Sequence, residues 1–326
     1  MIGDFVIRAY RADDVEAITD VWNQHQALIG SDSRLTPELM AGFMSTPTYN
    51  AEQNAFIVED ASGRLIAFSD VDYVPETGRA WSDTVLLPEC RGRGIEAQLF
   101  RVVEDRVFER ARADGTPPHV PIHVNRVTTA RDSYTIDLLR ADDYFHVRSS
   151  YRMMIDLRGE IDVPPLLEGV EMRPFDLEQD AHAVYEAVTE AFADHWGFHR
   201  DPYEVWKHYM LDRPDQDISM WLVAWDGDQI AGVALNRPFG EYEPDKAYVQ
   251  TLGVRKPWRR HGLGFALLKH TFKLFQDRGY TSAGLGVDAS NTTNAVALYE
   301  RAGMHVDRQF VTYRKMLRGN ADDAIG

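Results

Sequence analysis

Alternating apolar and polar positions near the start of the chain predict a short strand that leads directly into a helix. Residues 5–10 alternate in this way, and a helical spacing with acidic residues in its first turn begins at Ala12. The same order returns later, with a strand pattern over residues 169–175 and a helical pattern over residues 181–193. The same strand-then-helix pattern therefore opens two separate parts of the chain.

Each occurrence is followed by a pattern of strand, turn and strand, over residues 55–68 in the first half and 221–235 in the second. In the second half, further strand patterns cover residues 247–254 and 283–287, with a helical pattern after each and a final strand. Helices thus accompany strands that mostly run antiparallel, which favours an α+β fold. We predict two tandem domains, each a mixed, mostly antiparallel sheet flanked by helices.

Three landmarks repeat at nearly one spacing along the chain. Arg8 and Arg173, in the two opening strands, lie 165 positions apart (173 − 8). Arg91 and Arg259, which begin two glycine-bearing turns, lie 168 positions apart (259 − 91). A third match begins at Leu138 and returns 160 positions later. Three matches in the same order predict a tandem duplication.

Proline and glycine residues indicate where the two halves meet. Residues 159–168 include Gly159, Pro164 and Pro165, which are typical of a linker. We therefore predict an N-terminal domain over residues 1–158 and a C-terminal domain over residues 169–318. The small and acidic residues 319–326 predict a frayed tail.

Charge and composition exclude several classes of partner. The 326 residues carry a formal net charge of −16, which argues against nucleic acid and anionic membrane surfaces as partners. No apolar run approaches the roughly 18–20 residues that span a bilayer. The single cysteine, Cys90, rules out an intrachain disulfide framework, and residues 1–5 do not resemble a signal peptide. We therefore expect a cytoplasmic protein, either a monomer or a homodimer.

A glycine-bearing turn before a helical pattern predicts a site for phosphate or pyrophosphate. Residues 259–264 read Arg-Arg-His-Gly-Leu-Gly. Glycines let the backbone approach a ligand, and a helix N-terminus presents unpaired amides and the positive end of its dipole. A dinucleotide fingerprint is disfavoured because Arg260 stands where its first glycine should be, and the ending of a P-loop is absent. The alternative is an ordinary helix start that contains glycine.

A second motif follows this turn, with Asn291, Ala295, Tyr299 and Gly303 in order. Together with the turn it resembles the GNAT acyltransferase superfamily, and the two halves resemble tandem GNAT proteins of the mycothiol synthase kind. This resemblance implies acetyl-CoA as the co-substrate, with no metal, and a small-molecule amine as the acceptor.

The resemblance also implies roles for individual residues. The strand end would pair with the pantetheine arm, the turn would hold the pyrophosphate, and the asparagine would bond the pantetheine region. The implied cofactor-binding residues are Leu252, Gly253, Val254, Arg259, Arg260, His261, Gly262, Leu263, Gly264 and Asn291. Tyr299 would act as the general acid, since a phenol of pKa about 10 can protonate a thiolate of pKa about 8.5 within hydrogen-bond reach. The alternative for Tyr299 is a packed helix aromatic.

The sequence does not decide which residue acts as the general base. Tyr248, on the strand that leads to Val254, and Glu241, in the loop before it, are the candidates, with Glu243 and Asp288 as further carboxylates.

The segment after the helical pattern at residues 181–193 is rich in aromatic residues and histidines. By the resemblance this region covers the acceptor pocket, although ordinary aromatic packing explains it equally well. The candidate substrate residues are Asp194, His195 and Trp196. No metal site is expected, because His195 and His199 lack a carboxylate motif around them.

The first half keeps the glycine-bearing turn but departs from the second half elsewhere. Glu96 stands at the position of Gly264, and Leu139 stands at the position of Tyr299. Arg131 and Asp143 replace Asn291 and Gly303. We therefore predict that the first domain is catalytically degenerate.

The resemblance, together with the departures of the first half, implies an acetyl-CoA-dependent acyltransferase that transfers an acetyl group directly to the amine of a small molecule, with catalysis in the C-terminal domain. The alternative from another class is a noncatalytic CoA-binding or interaction module. An acid beside an intact phosphate turn favours the enzyme, because a binding module needs no acid at the sulfur.

Overall fold

The computed structural model describes residues 5–290 and 294–320, and the chain divides into two compact units. Unit 1 consists of residues 1–149 and 310–326, and unit 2 consists of residues 150–309. These units differ from the linear boundaries expected from the sequence at the closing strand of each half.

Most elements of the first half follow the predicted order of strand, helices and hairpin. The strands are β1 (Phe5–Ala9), β2 (Ala55–Asp60), β3 (Leu65–Asp70), β4 (Asp72–Val74), β5 (Arg79–Trp81), β6 (Thr84–Leu86), β7 (Ile122–Thr129) and β8 (Phe145–Asp156). The helices are α1 (Val15–Leu28), α2 (Pro37–Met44), α3 (Ala51–Asn54), α4 (Ile95–Ala113) and α5 (Ser133–Ala141).

The second half repeats this order. Its strands are β9 (Val170–Arg173), β10 (Leu222–Asp226), β11 (Gln229–Pro238), β12 (Lys246–Val254), β13 (Ser282–Asp288) and β14 (His305–Arg318). Its helices are α6 (Leu177–Phe192), α7 (Tyr203–Met210), α8 (Leu263–Asp277) and α9 (Ala295–Arg301). The predicted hairpins are confirmed as the antiparallel pairs β2–β3 and β10–β11.

Unit 1 contains two groups of paired strands. The antiparallel order β1-β2-β3-β6 packs around a core of apolar side chains that includes Ile18, Ile57 and Leu99. Strand β5 pairs with β4 and, in parallel, with β7, and residues 310–318 of β14 pair antiparallel with β7. Unit 1 thus takes its last strand segment from the end of the chain.

Unit 2 carries one mixed sheet. Strands β9, β10, β11 and β12 pair antiparallel in this order, β12 pairs with β13 in parallel, and residues 150–156 of β8 pair antiparallel with β13. Helix α8 packs on this sheet through Leu268, Phe272 and Phe275, which are all fully buried. The prediction of a mixed, mostly antiparallel sheet flanked by helices is confirmed.

The tandem repeat is visible in the backbone of the two glycine-bearing turns. Gly94 and Gly262 are the N-cap residues of α4 and α8, and both have a left-handed backbone, with φ of 79° and 90°. Two residues earlier, Gly92 and Arg260 are left-handed as well, with φ of 77° and 66°. The spacing of 168 therefore aligns the same chain path in both halves.

Among the helices of the described ranges, none combines the length and the apolar character that crossing a membrane requires.

Candidate active site

Strand β12 is paired along its whole length on one side but only in part on the other. Its partner β11 runs beside it from Pro238, opposite Ala247, to Gly232, opposite Val254. On the other side, β13 pairs only with residues 246–249. Within the described ranges, the last five residues of β12 therefore have no strand partner on the β13 side. An extended chain could add to this open edge by backbone hydrogen bonds.

The turn after β12 presents a row of backbone amides. In the described part of the chain, the amides of residues 260–265 donate to no protein acceptor. Left-handed Arg260 and Gly262 bend the chain at this point, which is the kind of backbone that gathers successive N–H groups around an anion. The 15-residue helix α8 starts here and adds the positive end of its dipole. The predicted site at residues 259–264, called the phosphate turn below, thus has backbone donors suited to a pyrophosphate.

Two glycines of the predicted site differ in how closely neighbouring residues approach them. A Cβ at Gly253 would lie 3.1 Å from Ala191 and 3.3 Å from Phe192, so glycine lets the end of α6 approach β12 closely. A Cβ at Gly264 would meet Val254 at 3.5 Å, which is an ordinary contact. The backbone conformation at position 264 therefore does not require glycine, but the missing side chain leaves room near the amides.

The Arg259 side chain connects the phosphate turn to β12 and α6 by hydrogen bonds. Its Nε donates to the Val254 carbonyl at 2.9 Å and its Nη2 donates to the Ala191 carbonyl at 2.8 Å. Its Nη1 lies 3.3 Å from the Asp194 carboxylate, which also pairs with Lys256 at 3.1 Å. Arg259 thus positions the turn, and the exposed side chains of Arg260 and His261 are left to contact a ligand.

The predicted substrate residues lie in the turn after α6. Asp194 is exposed, and the hydrogen bonds from Lys256 and Arg259 hold its pKa below the usual range. His195 is half-buried, and burial together with the positive charge of Arg259 lowers its pKa, so its imidazole is neutral at pH 7. Trp196 is half-buried beside it.

Tyr299 lies on α9 with only 9% of its surface exposed. Burial, followed by the neighbouring Tyr248, raises the pKa of Tyr299 to about 12. No residue in the described ranges forms a hydrogen bond with the hydroxyl of Tyr299 or with that of Tyr248. The structure thus brings together two tyrosines that were predicted from different segments, and both keep an available hydroxyl.

The other base candidates have different surroundings. Glu241 lies in an exposed turn, and Glu243 pairs with Lys246 at 2.5 Å. Asp288 ends β13 and accepts a hydrogen bond from the Ser290 amide at 2.8 Å. Asn291, predicted to bond the pantetheine region, lies outside the described residues.

In the corresponding turn of unit 1, a side chain of the protein accepts a hydrogen bond from one backbone amide. The Gly92 amide donates to the Tyr134 hydroxyl at 2.6 Å, and this hydroxyl donates to Glu96 at 2.7 Å. Burial, together with the hydrogen bond to Glu96, raises the pKa of Tyr134 to about 12. Arg91 makes two hydrogen bonds of 3.0 Å to Asp132 and holds the turn against the start of α5.

Sequence reasoning missed a group of charged residues near Tyr248. Arg237 faces Tyr248 across the β11–β12 pair, and Arg213 pairs with Asp215 close by. The available signal was an arginine two residues after the apolar strand pattern of residues 230–235. No group of three or more His, Cys, Asp or Glu residues in the described ranges is arranged to hold a metal ion.

Comparisons with known proteins agree with this geometry. The Acetyltransferase (GNAT) family matches residues 181–304, which include β12, the phosphate turn and Tyr299. A protein of Salinispora tropica named mycothiol acetyltransferase is 30% identical over 254 residues, which cover 74% of this chain and 75% of that protein.

Solved structures extend the likeness to nearly the full chain. A GCN5-related N-acetyltransferase from Sphaerobacter thermophilus aligns with a TM-score of 0.77 and 28% identity, over 97% of this chain and 96% of that one. A tandem GNAT protein from the clavulanic acid biosynthesis pathway aligns with a TM-score of 0.71 and 14% identity, over 97% and 100% of the two chains, a likeness of fold alone. The chain therefore belongs to the GNAT family of acetyltransferases.

Proposed function

We propose that this protein transfers an acetyl group from acetyl-CoA to the amine of a small molecule, and that unit 2 carries out the reaction. The observation that carries the proposal is the row of amides over residues 260–265, which lack a protein acceptor and directly follow the open edge of β12. A pyrophosphate at these amides and a pantetheine arm along the edge would point the thioester toward the interior of the sheet.

In this arrangement the protein contributes mainly by holding the two substrates in position. The amine nitrogen attacks the thioester carbon, the carbon–sulfur bond breaks, and the thiolate departs as CoA. The raised pKa of Tyr299 keeps its phenol protonated at neutral pH, so it can donate first a hydrogen bond and then a proton to the sulfur. The nitrogen releases its proton to a base, for which Tyr248 and Glu241 stay the candidates, and Tyr299 regains its proton from solvent.

Unit 1 is proposed to play no part in the chemistry. The Tyr134 hydroxyl takes the Gly92 amide and donates to Glu96, so one donor of the turn is already used and a carboxylate that repels phosphate lies nearby. Leu139 is fully buried at the position that corresponds to Tyr299 and carries no proton donor. Unit 1 therefore supports the fold and leaves catalysis to unit 2.

A thiol-release assay with acetyl-CoA and a panel of small amines tests the proposal. The relatives named mycothiol acetyltransferase make a mycothiol-related acceptor one member of this panel. Turnover with at least one amine is the expected result. Tight binding of acetyl-CoA without turnover of any amine would favour a noncatalytic CoA-binding module instead.

A further inference from the structure

Two guanidinium groups surround the Tyr248 ring in unit 2. Arg237, on β11, is the register partner of Tyr248 on β12, and its guanidinium carbon lies 4.9 Å from the centre of the ring. Arg152, on the segment of β8 that pairs with β13, lies at the same distance of 4.9 Å. Two arginine side chains thus flank the tyrosine that neighbours Tyr299.

Arg237 has hydrogen-bonding capacity that the protein does not use. Its Nη1 donates to the carbonyls of Pro238 and Phe239 at 2.8 and 2.9 Å. Its Nε is buried and has no acceptor, and Nη2 donates to no residue in the described ranges. The Nε–Nη2 edge of a guanidinium is one that binds carboxylate or phosphate oxygens in pairs.

The nearest carboxylate does not neutralise this side chain. Asp215 accepts two hydrogen bonds of 2.8 Å from Arg213, whereas Arg237 lies 3.6 Å from the same carboxylate. Asp215 is therefore bound closely by Arg213 and meets Arg237 only at a longer distance. Burial and the charge of Arg213 lower the pKa of Arg237 to about 10, so the group stays charged at pH 7 but would gain from a second anion.

The position of Arg237 along the sheet separates it from the phosphate turn. Its partner Tyr248 precedes Val254 by six residues, which is roughly 20 Å of strand at about 3.3 Å per residue. A pyrophosphate held at residues 260–265 therefore lies at the opposite end of β12. An anion at Arg237 would instead lie on the side of Tyr248 and Tyr299, where the acceptor amine is expected.

We infer that Arg237 binds an oxyanion of the acceptor, so that the preferred substrate is an amine that also carries a carboxylate or a phosphate. This inference rests on the proposed acetyl transfer in unit 2. The carbonyls of Pro238 and Phe239 hold the guanidinium in place. Arg237 would act as a specificity-determining residue that fixes the amine relative to the thioester.

Matched pairs of amines test this inference by steady-state thiol release. The pairs are phosphoethanolamine with ethanolamine, β-alanine with propylamine, and glucosamine 6-phosphate with glucosamine. We expect at least one anionic member to exceed its neutral partner in kcat/KM by about tenfold or more. The phosphate and carboxylate pairs show which oxyanion is preferred.

Variants of Arg237 separate recognition from structural support. Arg237→Gln should remove the preference, because the kcat/KM for the anionic amine falls more than the kcat/KM for its neutral partner, while the KM for acetyl-CoA stays unchanged. Arg237→Lys should restore part of the preference. Arg173→Gln is the matched control, because Arg173 lies on β9, is 41% exposed and pairs with Glu171. Equal losses for both members of a pair would show a purely structural role and contradict the inference.

A binding measurement keeps the inference testable without turnover. Calorimetric titration of the same amines into the full-length protein, with CoA present, should show tighter binding of an anionic amine than of its neutral partner, and Arg237→Gln should abolish the difference. If no anionic amine binds more tightly than its partner, the inference is wrong even where acetyl transfer occurs. If acetyl-CoA binds but no amine is acetylated, the proposed function fails, and the binding difference still decides the role of Arg237.

Discussion

The backbone amide of Gly92 donates a hydrogen bond to the Tyr134 hydroxyl at 2.6 Å, so a side chain of unit 1 occupies its own phosphate turn. At the corresponding place in unit 2, the Arg260 amide meets no protein acceptor among the described residues. Both residues have the same left-handed backbone. The two turns thus share their geometry and differ in whether this amide already has a protein acceptor.

Placing the glutamate of unit 1, Glu96, at the corresponding position 264 of unit 2 should weaken the binding of acetyl-CoA by unit 2. We expect Gly264→Glu to raise the Kd for acetyl-CoA by at least about tenfold, because a carboxylate beside the amides repels the pyrophosphate. Gly264→Ala is the control, since its Cβ would make ordinary contacts of 3.5 and 3.8 Å with Val254 and Leu298. Calorimetric titration of acetyl-CoA measures both variants. Unchanged affinity in Gly264→Glu would overturn our explanation for unit 1.

The left-handed N-cap of α8 should make glycine necessary at position 262. Gly262→Ala is expected to lower the free energy of unfolding by about 1 kcal/mol, because a Cβ strains a backbone with φ of 90° even where space is open. Gly159→Ala is the comparison, since its Cβ also meets open space and its φ lies outside the left-handed region. Urea denaturation measures both, and equal stabilities would show that the turn is not strained.

The Arg91–Asp132 pair should stabilise unit 1 in a pH-dependent way. Burial acts to raise the pKa of Asp132, but the hydrogen bonds from Arg91 and Thr135 outweigh it and hold the pKa below the usual range. The carboxylate therefore contributes stability above its unfolded pKa of about 4, and this contribution is lost as the pH falls toward the folded value. Asp132→Asn should cost about 2 kcal/mol at pH 7.

The cost of Asp132→Asn should shrink when unfolding is measured near pH 3 instead of pH 7. Asp137→Asn provides the control, because that carboxylate is 76% exposed and lies 3.8 Å from Arg140. We expect the control to change the free energy of unfolding by less than about 0.5 kcal/mol. If the loss in the free energy of unfolding caused by Asp132→Asn did not depend on pH, it would come from lost packing and not from the charge of Asp132.

The elements and the phosphate turn could be predicted because they depend on neighbouring residues. Strand alternation, glycine in a left-handed N-cap and helical spacing are all local, and the paired landmarks exposed the duplication. The hairpins β2–β3 and β10–β11 follow directly from such patterns.

The side-chain partners could not be predicted, because they come from segments far apart in the sequence. Arg259 is among the implied cofactor-binding residues, and no sequence pattern indicated that its side chain donates to the Val254 and Ala191 carbonyls. Tyr134 reaches back 42 residues to close the turn at Gly92. Strand register, which a local pattern does not specify, places Arg237 opposite Tyr248.

The pH dependence of thiol release by Tyr299→Phe tests the central claim most directly. Because the pKa of Tyr299 is raised to about 12, its phenol stays protonated from roughly pH 6 to pH 10, and kcat of the variant should fall about 100-fold throughout this range. Tyr280→Phe, which alters a tyrosine packed edge-on against Phe275, should keep the wild-type kcat. A Tyr299→Phe variant with the wild-type kcat at every pH would contradict the assignment of Tyr299 as the proton donor in unit 2.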